Sequence, residues 1–464
     1  MMNKKPIGKF TVFFVVLLSF FNIQKAIDLT TAGGIKLHII SDKKALYFHS
    51  EILVRFQETR NTSISYLTFL NLFNEKVVSS RSSLLSLLFK MGNDFELIYN
   101  VDHIVIRGNF LKDRVPIFIQ FLKKLSGGVN FSLKNFSYSL KNFKDLFISD
   151  KNRRKIIASQ IALREIFSKS APTKEFILSE VSLKKINLSQ IRSFYKKNFI
   201  LPNLSVAIRG NINPYIFLGL TEKAFKNFNR YPIKPKFKPD RELTTKRKII
   251  IVNIGKASRR PEIFWFIPVP PKGTEEYNIM EISNNILFGY PFGTVFRVAS
   301  KYGIRNIRSS RSFCDFQNIS FICNRISLNR YSDLRKFFFI ANNSFRKLLP
   351  GRISKKEYLS SYNNIYLAKM IASDSFDYIA KDFIKRDLLR SNQFPLQRLK
   401  KRKRDDLSYV SFNKYIEVNS GKGVFFKRIH KGVIVIIGNS TAILRNLNIK
   451  NAEVINVYHK KNSN

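Results

Sequence analysis

The chain has 464 residues, which favours two or more domains at roughly 100–200 residues each. Its 81 Lys and Arg against 32 Asp and Glu give a formal net charge of +49, yet 44% of the residues are hydrophobic, enough to build sizeable cores and to exclude a disordered basic tail. Two cysteines exclude a disulfide-dense scaffold or a Cys-rich zinc module, and no apolar run is long enough for a multi-pass membrane protein.

Lys4, Lys5 and Lys9 precede the apolar run FTVFFVVLLSFF over 10–21. A basic start followed by a short apolar stretch predicts a secretory signal over 1–26, with Ala26 as the small residue before the cut. An uncleaved anchor is the other reading; either way the body of the chain is expected to be exported. Strands are predicted over 34–40 and 45–56, helices over 63–75 and 80–91, and a strand pair near 95–98 and 103–109. Helices over 114–125, 151–167 and 188–198 then lead to an apolar strand from Leu204. In the second half, strands over 248–254 and 262–268 precede helices over 274–287 and 294–302. Two short strands around 315–318 carry Cys314 and Cys323, a candidate bridge in an oxidising compartment, with two buried thiols as the alternative. A helix is expected over 332–348 and a longer one from Ser354, where Ser354 and Glu357 stand at capping-box spacing.

Pro232, Pro235 and Pro239 alternate with lysines over 230–247, which reads as a linker. The segments on either side repeat one another. LSVAIRGNINPYI from Leu204 gives a strand, Gly210-Asn211 and a helix start; GVIVIIGNSTAIL from Gly432 gives the same order with Gly438-Asn439. Each is preceded by a short amphipathic helix, from Leu188 and from Leu407. The expected layout is a signal over 1–26, a domain over 27–229, the linker over 230–247 and a second copy over 248–464, each copy mixing helices and strands in an α+β arrangement.

Three stretches carry a resemblance to a known family. They are KINLSQIRSFYKKNFILPNLSVAIRGNIN from Lys185, ILFGYPFGTVFRVASKYGIR from Ile286, and ISKKEYLSSYNNIYLAKMIASDS from Ile353. In order and spacing the chain resembles the pitrilysin/insulinase-like zinc metallopeptidases of the processing-peptidase type. The resemblance implies two homologous α/β-sandwich domains facing one another as a clamshell. It also implies an H-x-x-E-H motif on the first long helix, with two zinc ligands and a general base on one helical face. Here those positions fall on Tyr66, Phe69 and Leu70, none of which binds zinc as an imidazole does or serves as a carboxylate base. The window for the third ligand offers Asp145 and Asp150 and no glutamate. The second domain's substrate-holding arginine and tyrosine fall on Ser300 and Asn306, with Arg305 adjacent. The resemblance thus implies no metal cofactor and a degenerate site in both halves.

The five histidines include no i,i+3 or i,i+4 pair, so no helix presents two ligands on one face. His49 and Glu51 share one face of a strand and are the alternative seed of a rearranged zinc site. The run Arg398, Lys400, Lys401, Arg402, Lys403 and Arg404 suits a solvated loop or, in an exported chain, an anionic membrane surface; no nucleic-acid motif accompanies it. The reading that follows is an exported, catalytically inactive relative of these peptidases. Its role is as partner, scaffold or peptide-binding protein, with a homologous peptidase subunit as one candidate partner. An active zinc endopeptidase and a basic polyanion-binding protein are the alternatives.

Overall fold

The structure is a computed structural model that describes residues 27–56, 62–74, 83–92, 94–149, 153–166, 183, 185–228, 248–255, 258–270, 274–316, 319–373, 387, 408–421, 432–448 and 452–456. The predicted signal, the 230–247 segment and the basic run at 398–404 lie outside the described residues.

The first half builds a six-stranded sheet in the order β1-β2-β6-β3-β5-β4 from β1 (Ile27–Thr30), β2 (Lys36–Ser41), β3 (Tyr47–Arg55), β4 (Asp94–Tyr99), β5 (His103–Leu111) and β6 (Leu204–Gly210). Only β2 and β6 run parallel; the remaining neighbours are antiparallel. Side chains alternate between the two faces. Leu37, Ile39, Phe48, Ile52, Val54, Ile104, Ile106, Val206 and Ile208 point into the core. The opposite face carries Lys36, His38, Glu51, Arg55, Arg107 and Arg209. The helices are α1 (Thr62–Phe73), α2 (Leu84–Met91), α3 (Val115–Leu125), α4 (Leu133–Lys141), α5 (Phe143–Ser149), α6 (Arg153–Ile166), α7 (Leu188–Asn198) and α8 (Pro214–Phe225). Ser83 caps α2, and Asn187 with Gln190 forms a capping box on α7. Helices α4 and α5 and the short edge strand β1 are absent from the sequence reading.

The second half repeats that strand order as β12-β7-β11-β8-β10-β9, from β7 (Lys248–Asn253), β8 (Glu262–Val269), β9 (Arg308–Phe316), β10 (Ile319–Ser327), β11 (Val433–Gly438) and β12 (Glu453–Asn456). β7 and β11 are its parallel inner pair, as β2 and β6 are in the first sheet. The outer strand differs. It comes from the start of the first half, antiparallel to β2, and from the end of the second, parallel to β7. Helices α9 (Glu275–Phe288), α10 (Thr294–Lys301), α11 (Asp333–Ser344), α12 (Lys355–Ser373), α13 (Tyr409–Gly421) and α14 (Ser440–Leu447) complete this half. The capping box expected at α12 is formed: Ser354 N donates to Glu357 Oε2 at 3.0 Å and Glu357 N to Ser354 Oγ at 3.3 Å.

The repeated glycines have a steric cause. A Cβ at Gly210 would lie 2.8 Å from Phe48 Cα, and one at Gly438 would lie 2.7 Å from the Tyr331 hydroxyl. That hydroxyl accepts from Asn439 N at 2.9 Å. The following asparagines are not equivalent. Asn439 caps α14 directly, whereas in the first half the cap has moved from the exposed Asn211 to Asn213, which accepts from Tyr215 N and Ile216 N.

The second sheet is covered on both faces, which explains its near-continuous apolar strands IIIV, IFWFI and VIVII. Ile251, Ile263, Trp265, Ile267, Ile434 and Ile436 face this half's own core. Ile250, Val252, Phe264, Phe266, Val433 and Val435 join the apolar cluster of the first half, because α6 lies across β11 and β8. Arg154 reaches Glu262 at 3.4 Å and Arg164 reaches Glu453 at 2.6 Å, so ion pairs rim the same junction.

Candidate functional site

Helix α1 is where the resemblance places zinc chemistry. Tyr66 is 1% exposed and Leu70 2%, both pointing inward, and Phe69 is partly buried beside them. The Tyr66 ring packs edge-on against Tyr99, Phe143 and Phe147, at centroid distances of 5.0, 5.7 and 5.2 Å, and stacks on Phe69 at 6.1 Å. Phe69 also meets Tyr99 at 5.6 Å. Aromatic rings from α1, β4 and α5 therefore fill the volume beside the motif positions, with edge-to-face geometry suited to their quadrupoles.

The polar residues of α1 are tied into structure. Ser65 Oγ lies 2.7 Å from the Tyr99 hydroxyl, and Asn71 Nδ2 donates to Leu67 O at 2.9 Å and to Ser139 Oγ at 2.8 Å. Gln160 of α6 donates to Thr62 Oγ1, joining the start of α1 to the helix that crosses to the second sheet. In this chain the helix organises packing.

Asp145 is exposed on α5, and Asp150 lies outside the described residues. His49 and Glu51 do share a face of β3, but each is engaged by the residue opposite on β5. His49 Nδ1 donates to Asn109 Oδ1 at 2.6 Å, and Glu51 accepts from Arg107 at 3.1 Å. Among the described residues no group of three His, Cys, Asp or Glu side chains converges on one point. Ser300, Arg305 and Asn306 are exposed around the end of α10, with Gly303 (φ 79°) and Asn306 (φ 56°) left-handed in the turn that follows. The strand register sets Cys323 opposite Ser312 and Cys314 opposite Phe321, so the two cysteines are not directly paired positions of the β9–β10 hairpin. Cys323 is buried.

The sequence reading missed a buried polar centre. His38 Nδ1 donates to Asp28 Oδ1 and His38 Nε2 to Asp387 Oδ2, each at 2.7 Å. Lys36 Nζ reaches Asp387 Oδ1 at 2.8 Å, and Arg55 Nη1 donates to the Asp387 carbonyl at 2.9 Å. Burial draws the His38 pKa down, but the bonds and charges of its two carboxylates outweigh it and leave the value raised. Burial would raise Asp387; His38 and Lys36 instead hold its carboxyl far below the usual range. Alternation along β2 was the only local signal, since nothing near Asp387 marks it as a partner of the first sheet.

Residues 185–359, from the approach to α7 into the first turn of α12, match the family model described as the peptidase M16 inactive domain. No curated protein matches the chain in sequence. Among solved structures it resembles the peptidase M16 inactive domain from Pseudomonas fluorescens, at TM-score 0.70 and 15% identity over 90% of this chain and 98% of that one. It also resembles a chain of Complex III2 from Candida albicans, at TM-score 0.67 and 12% identity over 91% and 97%. A third neighbour is the first half of the periplasmic protease PqqL from Escherichia coli, at TM-score 0.66 and 11% identity over 93% and 98%. Identities this low define the fold and leave activity to be argued from the site. The chain has the two-sheet α+β fold of M16 peptidases and carries a match to the M16 inactive-domain model over 185–359.

Proposed function

We propose that this chain is a non-catalytic M16-like protein, exported to the periplasm or envelope, that serves as partner or scaffold for another protein. The observation that carries the reading is the packing of Tyr66. Where the resemblance calls for a metal ligand, this ring is buried among Tyr99, Phe143 and Phe147. Support for a protein partner comes from the neighbour in Complex III2, and for export from the apolar run over 10–21 together with the periplasmic neighbour. The repeated strand order supports origin by duplication, with the boundary at 230–247. Among the described residues β4 is the end strand of the first sheet, beside α1, and strand addition there would hold an extended peptide through backbone groups without catalytic residues. The run at 398–404 is assigned to contact with anionic envelope components.

The test is metal content and proteolysis of the purified full chain, followed by its capture from an envelope fraction. The expected result is zinc below one equivalent, no chelator-sensitive cleavage of unfolded peptides, and co-purification of a homologue that retains H-x-x-E-H. Stoichiometric zinc lost on His49→Ala, with peptidase activity lost alongside it, would establish a rearranged catalytic site and overturn the reading.

A further inference from the structure

A second surface, away from α1, has the chemistry of a binding site. A cavity of about 520 Å³ opens between α10, α11 and the turn at 349–352, within the size range of ligand pockets, ~300–1,000 Å³. Val298 and the buried Ile340 form its floor. Two aromatic rings stand at its mouth, Tyr302 at 54% exposed and Phe339 at 62%. Phe339 is not needed by the core: its neighbours Phe338 and Ile340 are the buried residues of that turn, and Phe339 falls on the outer stripe with Lys336, Asn343 and Lys347. Arg346, Lys347 and Arg352 line one side, and Lys336 Nζ lies 5.7 Å over the Tyr302 ring.

One acid of the chain, Glu357, already neutralises part of this basic side. Glu357 meets Lys347 at 3.2 Å and closes the N-terminus of α12 by accepting from Ser354 N and Ser354 Oγ. The helix end that would draw a phosphate is thus already filled by a carboxylate of the chain itself. The two guanidinium groups at the cavity wall are forks that take a carboxylate or a phosphate in two-point contact; the apolar floor and the two rings beside them suit a peptide that carries an apolar side chain next to its carboxylates.

We propose that this cavity binds an acidic peptide segment: one apolar side chain inserts between Tyr302 and Phe339, and flanking Asp or Glu carboxylates pair with Arg346 and Arg352. The site runs along α10 from Thr294 to its C-cap Tyr302, where the turn that carries Arg305 and Asn306 begins, and the proposal holds whether or not α1 is catalytic.

The experiment is fluorescence anisotropy of the full chain with a labelled synthetic peptide in which one Phe is flanked on both sides by Glu, against the same peptide with Gln for Glu. The double variant Arg346→Glu/Arg352→Glu is expected to weaken binding by about tenfold or more, as lost charge-assisted contacts do. Phe339→Ala is expected to weaken it severalfold, and salt to weaken the unaltered chain. The high net charge requires a control, so the exposed pair Lys43→Glu/Lys44→Glu is changed on the first half. Equal loss from that remote pair would overturn the site, as would equal affinity for the Gln peptide. A third overturning result is loss of binding to phosphatidylglycerol vesicles in the Arg346/Arg352 variant with peptide binding intact, which would make the patch a lipid contact.

Discussion

His38 Nε2 and Asp387 Oδ2 lie 2.7 Å apart although 349 residues separate them in the chain. The imidazole stands on β2 and the carboxylate belongs to the second half, so the bond ties one half of the molecule to the polar face of the other half's sheet. Carboxylates on both nitrogens favour the imidazolium form, both of whose nitrogens donate.

A pH dependence follows from the two shifts. The raised pKa of His38 gives stability fully present below the ordinary imidazole value of about 6.5 and lost as pH rises through the folded value. The depressed pKa of Asp387 gives stability present above the ordinary aspartate value of about 3.9 and lost as pH falls through its folded value. Urea midpoints should therefore peak between these limits, and His38→Gln should flatten the alkaline side. Asp387→Ala, which takes one of two carboxylates from the buried His38 and the ion pair from the partly exposed Lys36, should cost on the order of 3 kcal/mol. An unchanged alkaline slope in His38→Gln would remove the clasp.

Tyr66 offers a test of α1 as a packing element. Tyr66→Ala removes a ring in contact with four others and should lower stability by about 3–5 kcal/mol in chemical denaturation. The triple change Tyr66→His, Phe69→Glu and Leu70→His restores the motif residues but puts polar groups into an aromatic cluster. It should lower the melting temperature and bind zinc weakly, as read by calorimetry with added zinc, because α5 offers only the exposed Asp145 nearby.

Cutting the chain should not separate its halves. Helix α6 lies across the second sheet, with Arg154–Glu262 and Arg164–Glu453 at the rim and Lys248 bonded to Glu165. A protease site inserted within 230–247 and cleaved under native conditions should leave one species in gel filtration, dissociating only in denaturant. Elution as two independent fragments would contradict the shared core.

Trp265 is the chain's only tryptophan and is fully buried, edge-on to Phe288 at 5.4 Å and Phe345 at 5.3 Å. Its emission should be blue-shifted and resist acrylamide quenching. The red shift on unfolding should coincide with the loss of far-UV circular dichroism, since the second sheet shares its apolar cluster with the first half.

The parts of the fold that could be read from the sequence were those whose pattern is local. The apolar strands from Leu204 and Gly432, the glycines after them and the Ser354–Glu357 cap lie within short windows and appeared where expected. Strands β1 and β12, of four residues each, carry too few side chains for alternation to show. Helix α4 mixes Lys, Asn and Ser into a short amphipathic turn that reads as loop. At the site, the loss of the motif residues was visible at Tyr66, Phe69 and Leu70, but what replaced them was not. The rings of Phe143 and Phe147 come from a helix the pattern did not reveal, and Asp387 reaches His38 only through tertiary folding.

The outer strands have a consequence for solubility. Among the described residues β1 and β12 are the outermost strands on β2 and β7, and each pairs a row of backbone donors and acceptors of its neighbour. Loss of β12 would bare the flank of Ile249, Ile250, Ile251 and Val252, a β-branched run of the type that templates intermolecular pairing. Four residues near the end of the described chain thus act as a guard against self-association, and their removal would be felt first as aggregation.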